Sequence, residues 1–293
     1  MKGTLYGVGI GPGDPELLTL KAVRLIRENE VIALPGEDPK ETVAYKISVQ
    51  AVPELADKTL LALAMPMTKD KKILKENYDR AADRVAEILD QGKNVVFLTL
   101  GDPTVYSTYM YVHQRLEAKG YPVAIVSGIT SFCAVAARMN MSLVERSEPL
   151  HVIPASYQIE EALKLPGTKV LMKAGKQMKY VQEQVKDFGK NAVMIENCGM
   201  PDEKIYASGE EIPESAGYYS LIIVKEEGKN DTFRRSRFRS TGPYHCPRTE
   251  ISDPEHPSPD APFKRTRKNR PTELEIIGKV SPKTTGTRIR YWA

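Results

Sequence analysis

Short apolar runs alternate with longer amphipathic stretches through residues 1–228 of the chain. Four of these runs are typical of strands, because each is brief and ends at turn-forming residues: TLYGVGI, EVIALP, NVVFLTL and YPVAIVSG. The stretches that follow them space their apolar residues at helical intervals. This predicts helices from Pro15 to Asn29 with Asp14 as N-cap, over 71–91, over 105–118 and over 130–139. The alternation predicts an α/β fold with a mostly parallel sheet.

The pattern changes near residue 150, where strand-like runs follow one another more closely. These runs are HVIPA, TKVLMKA, AVMIEN and YYSLIIVKE, with a short helix predicted near 158–163 and a longer one over 176–188. We therefore predict two α/β domains in this part of the chain. The first covers residues 1–150 and the second covers residues 151–228.

Residues 229–293 have a different composition. Arg, Ser, Thr and Pro dominate residues 229–270, which cannot bury enough apolar surface to offset the entropy of ordering them. This predicts a disordered or foreign appendage, in which only LEIIGKV (274–280) could form a strand. The alternative is a basic arm that binds RNA or an acidic partner, because the segment has 15 Lys and Arg against 7 Asp and Glu.

Charge and cysteine content limit the function of residues 1–228. The net charge of +4 comes from the tail, since the body has 27 Lys and Arg against 31 Asp and Glu. We therefore expect no nucleic-acid partner for the body. We also expect a cytoplasmic protein, because the chain shows neither a membrane-spanning run nor a secretory signal. The three cysteines are too widely spaced for a metal site or a disulfide framework.

Glycines recur at every second position from Gly7 to Gly13, between a predicted strand and a predicted helix. The spacing differs from the Gly-x-Gly-x-x-Gly of dinucleotide-binding folds, and Pro12 has no N–H group to offer a phosphate. A Walker loop is excluded because no Gly-Lys-Ser/Thr follows. The alternative to a ligand loop is a tight turn that needs positive φ angles.

A second motif, Gly101-Asp102-Pro103, lies where the predicted strand over 94–100 should end. Open α/β sheets bind ligands at that edge, so the Asp102 carboxylate is a candidate to hold a ligand hydroxyl or ammonium. An Asp followed by Pro is equally typical of a helix N-cap. Neither motif decides the function alone.

The order and spacing of three motifs together are more specific. They are GxGPGDPELLTLKA from Gly9, TLGDPTVYST from Thr99 and VSGITSF from Val126. With them, the chain resembles the tetrapyrrole methylase family over about residues 3–226. Within the family it is most similar to the precorrin-2 or cobalt-factor II C(20)-methyltransferases. That similarity includes MPMTKD, SEPLHVIPA and Leu100, where sister enzymes usually carry glycine.

The resemblance implies two α/β domains with a cleft between them, a homodimer, and S-adenosylmethionine as cofactor. It also implies methylation of carbon 20 of precorrin-2 or cobalt-factor II in cobalamin biosynthesis, with uroporphyrinogen or diphthine methylation as the alternative. The cofactor-binding residues that it implies are Pro12, Gly101, Asp102, Pro103, Val105, Tyr106, Thr130, Ser131, Met172, Lys173, Asn197, Cys198 and Ser220.

The implied tetrapyrrole substrate carries many carboxylates, so we expect cations around it. The substrate-binding candidates are Arg138, Arg146 and Lys173, together with Gly11 and Pro12 of the glycine loop. The alternative for each cation is an ordinary solvated surface charge. We expect no metal ligands.

Residues 1–228 contain no histidine spaced with a carboxylate or a cysteine as a general base would be. His113 is predicted to be a packing or surface residue, whereas His151 opens a strand and could reach the cleft. A tetrapyrrole meso carbon is electron-rich, so a methyl transfer to it needs no strong base before attack. Tyr109 and Cys133 are predicted core residues, and Tyr106 is a candidate to stack on the macrocycle.

Overall fold

The computed structural model describes residues 1–66, 68 and 70–226, which all belong to the compact unit Met1–Arg237. Its strands are β1 Leu5–Gly9, β2 Val31–Pro35, β3 Thr59–Leu63, β4 Val95–Thr99, β5 Val123–Val126, β6 Leu150–Pro154, β7 Thr168–Met172, β8 Ala192–Glu196, β9 Lys204–Tyr206 and β10 Ser220–Val224. Its α-helices are α1 Leu20–Glu28, α2 Val43–Ala51, α3 Lys71–Asp90, α4 Tyr109–Ala118, α5 Ser131–Arg138, α6 Glu160–Leu163 and α7 Met178–Val185.

The first sheet has the strand order β3-β2-β4-β1-β5, and every pair in it is parallel. Alternate residues of β4 face opposite sides, as the period of a strand requires. Val95 and Phe97 pack in the core with α3 and α4, whereas Val96 and Leu98 pack in the core with α1 and α2. The sheet is therefore buried on both faces, which confirms the parallel arrangement predicted from the apolar runs.

The second sheet is mixed, with the order β6-β7-β10-β8-β9. β6 and β7 are parallel, and the remaining pairs are antiparallel. Leu221 and Ile223 of β10 pack with Val135 of α5, while Ile222 and Val224 pack on the side of α7. The α/β class is confirmed. Because α5 covers the second sheet, the division into domains 1–150 and 151–228 stays a prediction.

The first helix begins later than predicted. Asp14 does act as a cap, since its Oδ1 accepts from Glu16 N at 2.8 Å, but it caps only a 3-10 turn over Pro15–Leu17. The chain is extended at Leu18, and α1 begins at Leu20. Thr19 Oγ1 accepts from Ala22 N and so supplies a second cap, which the apolar spacing did not separate from the first.

The helix predicted from residue 105 begins only at Tyr109. Tyr106 has a φ of +51°, which an α-helix cannot contain, and Ser107 Oγ accepts from Tyr109 N at 3.2 Å. The residues between β4 and α4 therefore form a turn rather than a helix. Helix α2, edge strand β3 and the three-residue β9 were not predicted.

A buried ion pair ties the connection before β6 to the end of β10. Lys225 Nζ lies 3.2 Å from Glu148 Oε2 and donates to the Leu143 carbonyl at 2.7 Å. Burial raises the pKa of Glu148, but hydrogen bonds from Thr168 and Glu145 and the charge of Lys225 outweigh it and lower the pKa overall. The SEPLHVIPA motif thus carries a structural carboxylate.

Predictions that concern residues 229–293, including the strand over 274–280, lie outside the described residues. Within the described part of the chain, every helix is too short or too polar to cross a membrane.

Candidate functional site

A crevice opens at the carboxyl edge of the first sheet, between β1 and β4. These strands are neighbours, but α1 follows β1 onto one face and α4 follows β4 onto the other. The connecting loops diverge and leave room at the strand ends, as in other open α/β sheets. A cavity of about 280 Å³ lies there, lined also by residues of the second sheet.

Glycine backbones pack directly on one another beside this cavity. A Cβ atom on Gly9 would lie 2.5 Å from the Gly101 carbonyl oxygen and 2.7 Å from Gly128 N, so no side chain fits there. Gly101 N donates to the Gly11 carbonyl at 2.8 Å, and Gly11 N donates back at 3.3 Å. The loops after β1, β4 and β5 are therefore held together through their main chains.

The same glycine loop reaches the second sheet. A Cβ atom on Gly13 would lie 2.1 Å from the Cys198 carbonyl oxygen, and one on Gly199 would lie 2.7 Å from Asp14 N. Alternating glycines therefore make two different contacts, one with the loops of the first sheet and one with the loop after β8. The turn alternative explains part of the motif, since Gly11 has a φ of +77°.

Asp102 joins two of these loops through its carboxylate. Oδ1 accepts from Thr104 N at 2.8 Å, and Oδ2 accepts from Gly128 N at 2.9 Å. Burial raises the pKa of this carboxyl, but the hydrogen bonds from Thr104, Gly128 and Ser127 outweigh burial and bring the pKa below its usual value. No helix begins at Pro103, so the N-cap alternative for Asp102 is wrong.

Tyr106 and Lys173 meet across the cavity from the two sheets. Lys173 Nζ donates to the Tyr106 carbonyl at 3.1 Å and lies 5.3 Å from the centre of its ring. The Tyr106 hydroxyl donates to the Val152 carbonyl at 3.1 Å. Burial lowers the pKa of Lys173. Both residues have positive φ, +51° and +60°, and such strained backbone is concentrated at functional sites.

Most of the predicted cofactor-binding residues line this one cavity. They are Pro12, Gly101, Asp102, Val105, Tyr106, Thr130, Ser131, Met172, Lys173, Cys198 and Ser220. Pro103 and Asn197 are neighbours of lining residues and are not themselves in the wall. Asn197, with a φ of +55°, donates from Nδ2 to Asp202 at 2.7 Å. The position of these residues is observed, whereas their roles remain predictions.

The predicted substrate-binding residues are less concentrated. Pro12 and Lys173 line the cavity, whereas Gly11 borders it through its pairing with Gly101. Arg138 Nε donates to Glu203 Oε1 at 2.7 Å, which accounts for its charge within the protein. Arg146 is exposed and outside the cavity wall. The structure therefore brings only one of the three candidate cations to the cavity.

Some lining residues were missed by sequence reasoning. Tyr218 and Tyr219 directly precede the predicted Ser220, and Ile195 precedes the predicted Cys198 by three positions. The sequence placed these tyrosines inside the predicted strand YYSLIIVKE, and no local pattern in that run marks them as residues of a cavity wall. They reach the cavity because β10 lies in the middle of the second sheet rather than at its edge.

The remaining candidate residues lie outside the cavity wall, and most of them make contacts within the protein. Tyr109 is fully buried, and its hydroxyl lies 2.9 Å from His113 Nδ1, so both are packing residues as predicted. His151 Nε2 lies 2.8 Å from the Pro166 carbonyl, and His151 is not in the cavity wall. The prediction that Cys133 is buried is wrong, because α5 turns its buried face through Ala134–Ala136 and leaves Cys133 exposed.

Comparison with known proteins gives a consistent result. Residues 4–213 match the family model described as Tetrapyrrole (Corrin/Porphyrin) Methylases. The chain is 34% identical over 227 residues to a probable cobalt-precorrin-2 C(20)-methyltransferase of Methanocaldococcus jannaschii, covering 75% of this chain and 95% of that protein. It is 31% identical to a precorrin-2 C(20)-methyltransferase of Sinorhizobium sp, covering 76% and 95%.

A solved structure has the same fold. It is a uroporphyrin-III C-methyltransferase from Thermus thermophilus, complexed with S-adenyl homocysteine. The two chains superpose with a TM-score of 0.58 at 24% identity, and the match covers 76% of this chain and 98% of the other.

Replacing Gly9 with alanine tests the backbone packing. We expect a loss of roughly 3 kcal/mol in the free energy of unfolding, because the added methyl overlaps the loops after β4 and β5. Gly120→Ala is the matched control, since Gly120 has positive φ but open space around it and should lose only about 1 kcal/mol. Urea unfolding followed by circular dichroism measures both values. Equal losses would contradict the packing.

The Asp102 carboxylate should make stability depend on pH. Its pKa is depressed in the folded state, so its contribution is present above the unfolded value of about 3.9 and is lost as the pH falls through the folded value. Asp102→Asn should be less stable than the unaltered protein by about 1–3 kcal/mol at pH 7. The difference should shrink below about pH 4. Unfolding midpoints between pH 3 and pH 7 provide the measurement, and a difference independent of pH would refute the interpretation.

Proposed function

Because the chain belongs to the tetrapyrrole methylase family, we propose that it methylates carbon 20 of precorrin-2 or of its cobalt-containing form, with S-adenosylmethionine as methyl donor. This places it in cobalamin biosynthesis. The family follows from the match over residues 4–213. The particular reaction is supported by relatives of 34% and 31% identity that carry this activity in their names and are covered almost completely.

One observation about the site carries the proposal: three loops and the second sheet line a single cavity, and one of the lining residues has an unsatisfied hydroxyl. Thr130 Oγ1 is buried and has no hydrogen-bond partner among the described residues, although Thr130 stands at the N-cap of α5. A buried hydroxyl without a partner is costly, so this one suits a polar group of a ligand. Asp102 supplies a negative charge in the same wall, which favours a cationic ligand.

These features fit the cofactor. S-Adenosylmethionine, when bound, supplies a methyl group on a sulfonium that is already activated toward nucleophiles. Asp102, Thr130 and Ser131 are the residues that we expect to hold its amino acid part, and Met172, Cys198 and Ser220 those that we expect to enclose its adenosine part. The apolar side chains of this wall would exclude water from the reacting atoms.

The titratable groups of the cavity favour positioning over base catalysis. Both Asp102 oxygens already accept hydrogen bonds, and burial raises the pKa of the Cys198 thiol to about 12, so it stays protonated. Burial also raises the pKa of Tyr218 and Tyr219. The protein's contribution is therefore to hold the reacting carbon in line with the methyl group. Such alignment by itself can remove a large part of the activation barrier for the transfer.

Lys173 is the residue that we expect to meet a substrate carboxylate. It is the cation in the cavity wall among the described residues, and its ammonium has only the Tyr106 carbonyl and ring as close partners. A carboxylate of the macrocycle would pair with it more strongly than a neutral carbonyl does.

We also include in the proposal the homodimer that the resemblance implies, the cytoplasmic location expected from the sequence, and the two domains 1–150 and 151–228. The molar mass in solution, compared with 32.7 kDa for one chain, tests the dimer.

The reaction is tested by incubating the purified protein with S-adenosylmethionine and one acceptor at a time. The acceptors are precorrin-2, cobalt-precorrin-2, uroporphyrinogen III and the diphthine precursor. We expect one added methyl group on precorrin-2 or its cobalt form, detected by mass spectrometry and located at carbon 20 by NMR. Methylation of uroporphyrinogen or the diphthine precursor alone would refute the proposed substrate.

The cofactor site is tested by calorimetric titration with S-adenosylhomocysteine in the same protein preparation. Asp102→Ala should weaken binding roughly tenfold or more, because a charge-assisted contact and the loop bridge are both lost. Asp38→Ala is the matched control, since Asp38 also precedes a proline and accepts from the main chain two residues later, but is outside the cavity wall. Unchanged binding by Asp102→Ala would remove this residue from the site.

The role of Lys173 is tested by steady-state kinetics with the accepted tetrapyrrole. Lys173→Met should raise KM for the tetrapyrrole by about tenfold with a smaller change in kcat, and Lys173→Arg should recover part of the loss. Lys176→Met serves as the control, because Lys176 is exposed three residues away and outside the wall. An unchanged KM in Lys173→Met would show that this ammonium does not meet the substrate.

A further inference from the structure

Two tyrosines outside the sequence motifs form an aromatic wall in the cavity. Tyr218 and Tyr219 both line it, and their ring centres lie 5.2 Å apart with the planes at 84°. Their exposed fractions are 46% and 37%, which are high for neighbouring aromatic rings beside a core strand. Their hydroxyls have no hydrogen-bond partner in the described part of the chain. Both rings of this wall are therefore partly exposed and can contact a ligand in the cavity.

The segment that carries the tyrosines is held on three sides. Gly217 N donates to Glu196 Oε1 at 2.6 Å, and Ser220 Oγ donates to the Gly217 carbonyl at 2.7 Å. Asn197 N donates to the Tyr219 carbonyl at 3.0 Å. Glu196 is 8% exposed, so its carboxylate is committed inside the protein. The wall is thus preorganised before any ligand arrives, which reduces the entropy lost on binding.

The surroundings of the wall indicate what it would contact. Met172, Ile195 and Leu221 line the same side of the cavity and are apolar. A flat, uncharged heteroaromatic group would stack there without leaving a charge unpaired. The carboxylates of a tetrapyrrole would find only the Lys173 ammonium among the described lining residues. The wall therefore suits the base of a nucleoside better than the macrocycle.

We propose that Tyr218 and Tyr219 together receive the adenine of the methyl donor, with one ring stacked on the base and the other, nearly perpendicular to it, against the edge of the base. Glu196 is the positioning residue that holds both tyrosines through Gly217. This inference rests on the proposed function and extends it to residues that no sequence motif marks. It assigns cofactor affinity to the loop before β10 in addition to the loops of the first sheet.

The wall is tested by titrating Tyr218→Leu and Tyr219→Leu with S-adenosylhomocysteine and with 5′-methylthioadenosine, which lacks the amino acid part. Each variant should lose affinity for both ligands, by roughly ten- to hundredfold where stacking is complete. Tyr218→Phe and Tyr219→Phe should bind nearly as the unaltered protein does, because the ring remains. Tyr157→Leu is the control, since Tyr157 is 72% exposed outside the cavity wall.

The positioning role of Glu196 needs a readout that a loss of folding would not imitate. Tyr218→Trp places an indole in the wall, and its fluorescence should be quenched when 5′-methylthioadenosine binds. The unaltered protein, which contains only Trp292, is the reference. Adding Glu196→Ala should weaken this response, and adding Glu196→Gln should restore it, because the amide oxygen still accepts from Gly217 N. Thermal unfolding of each variant verifies that it is folded.

The results separate two failures. If the unaltered protein binds S-adenosylhomocysteine and both leucine variants bind it equally well, the aromatic wall is refuted while the proposed function stands. If the unaltered protein does not bind S-adenosylhomocysteine at all, the proposed function is refuted and the wall with it. An indole at position 218 that does not respond to bound ligand also contradicts the wall.

Discussion

Direct packing of backbone on backbone at Gly9, Gly101 and Gly128 is the constraint on which the site depends. A single Cβ atom at Gly9 would overlap main-chain atoms of both other loops, so the contact exists only while that position has no side chain. The paired hydrogen bonds between Gly11 and Gly101, and the Asp102 carboxylate that accepts from Gly128 N, add direction to this packing. Three strand ends thereby become one rigid rim, on which a ligand can be held with little reorganisation.

The second sheet completes the cavity because the same rim reaches it. Gly13 packs on the Cys198 carbonyl, and α5 begins beside the rim and covers one face of the second sheet. Strain is concentrated at this junction, where Tyr106, Lys173 and Asn197 all have positive φ. Residues in such conformations persist only when their surroundings hold them there, and here the surroundings are the cavity walls. A methyl transfer that relies on placement would benefit from this rigidity.

Much of this arrangement was predictable, and the exceptions have identifiable causes. The parallel first sheet follows from apolar runs such as 95–99, because both of its faces are buried and every position along the strand is apolar. The helix starts predicted at 15 and 105 were wrong because the apolar periodicity extends beyond the helices into the turns before them. Thr19 caps the first helix, and the positive φ of Tyr106 keeps the chain before the other out of a helix. Cys133 was misplaced for a related reason: composition marks α5 as apolar but does not tell which face meets the second sheet.

Local sequence was sufficient for the fold class, for eight of the ten strands that the structure describes and for the loop motifs, because periodicity and turn chemistry act between near neighbours in the chain. The resemblance to a known family named eleven of the residues that line the cavity, because the family's motifs can be matched to this chain position by position. Long-range packing was needed to show that Arg138 is paired with Glu203 and that Tyr218 and Tyr219 reach the cavity. Those facts depend on which strands become neighbours in a sheet, and that choice is made by the burial of whole faces rather than by any local pattern.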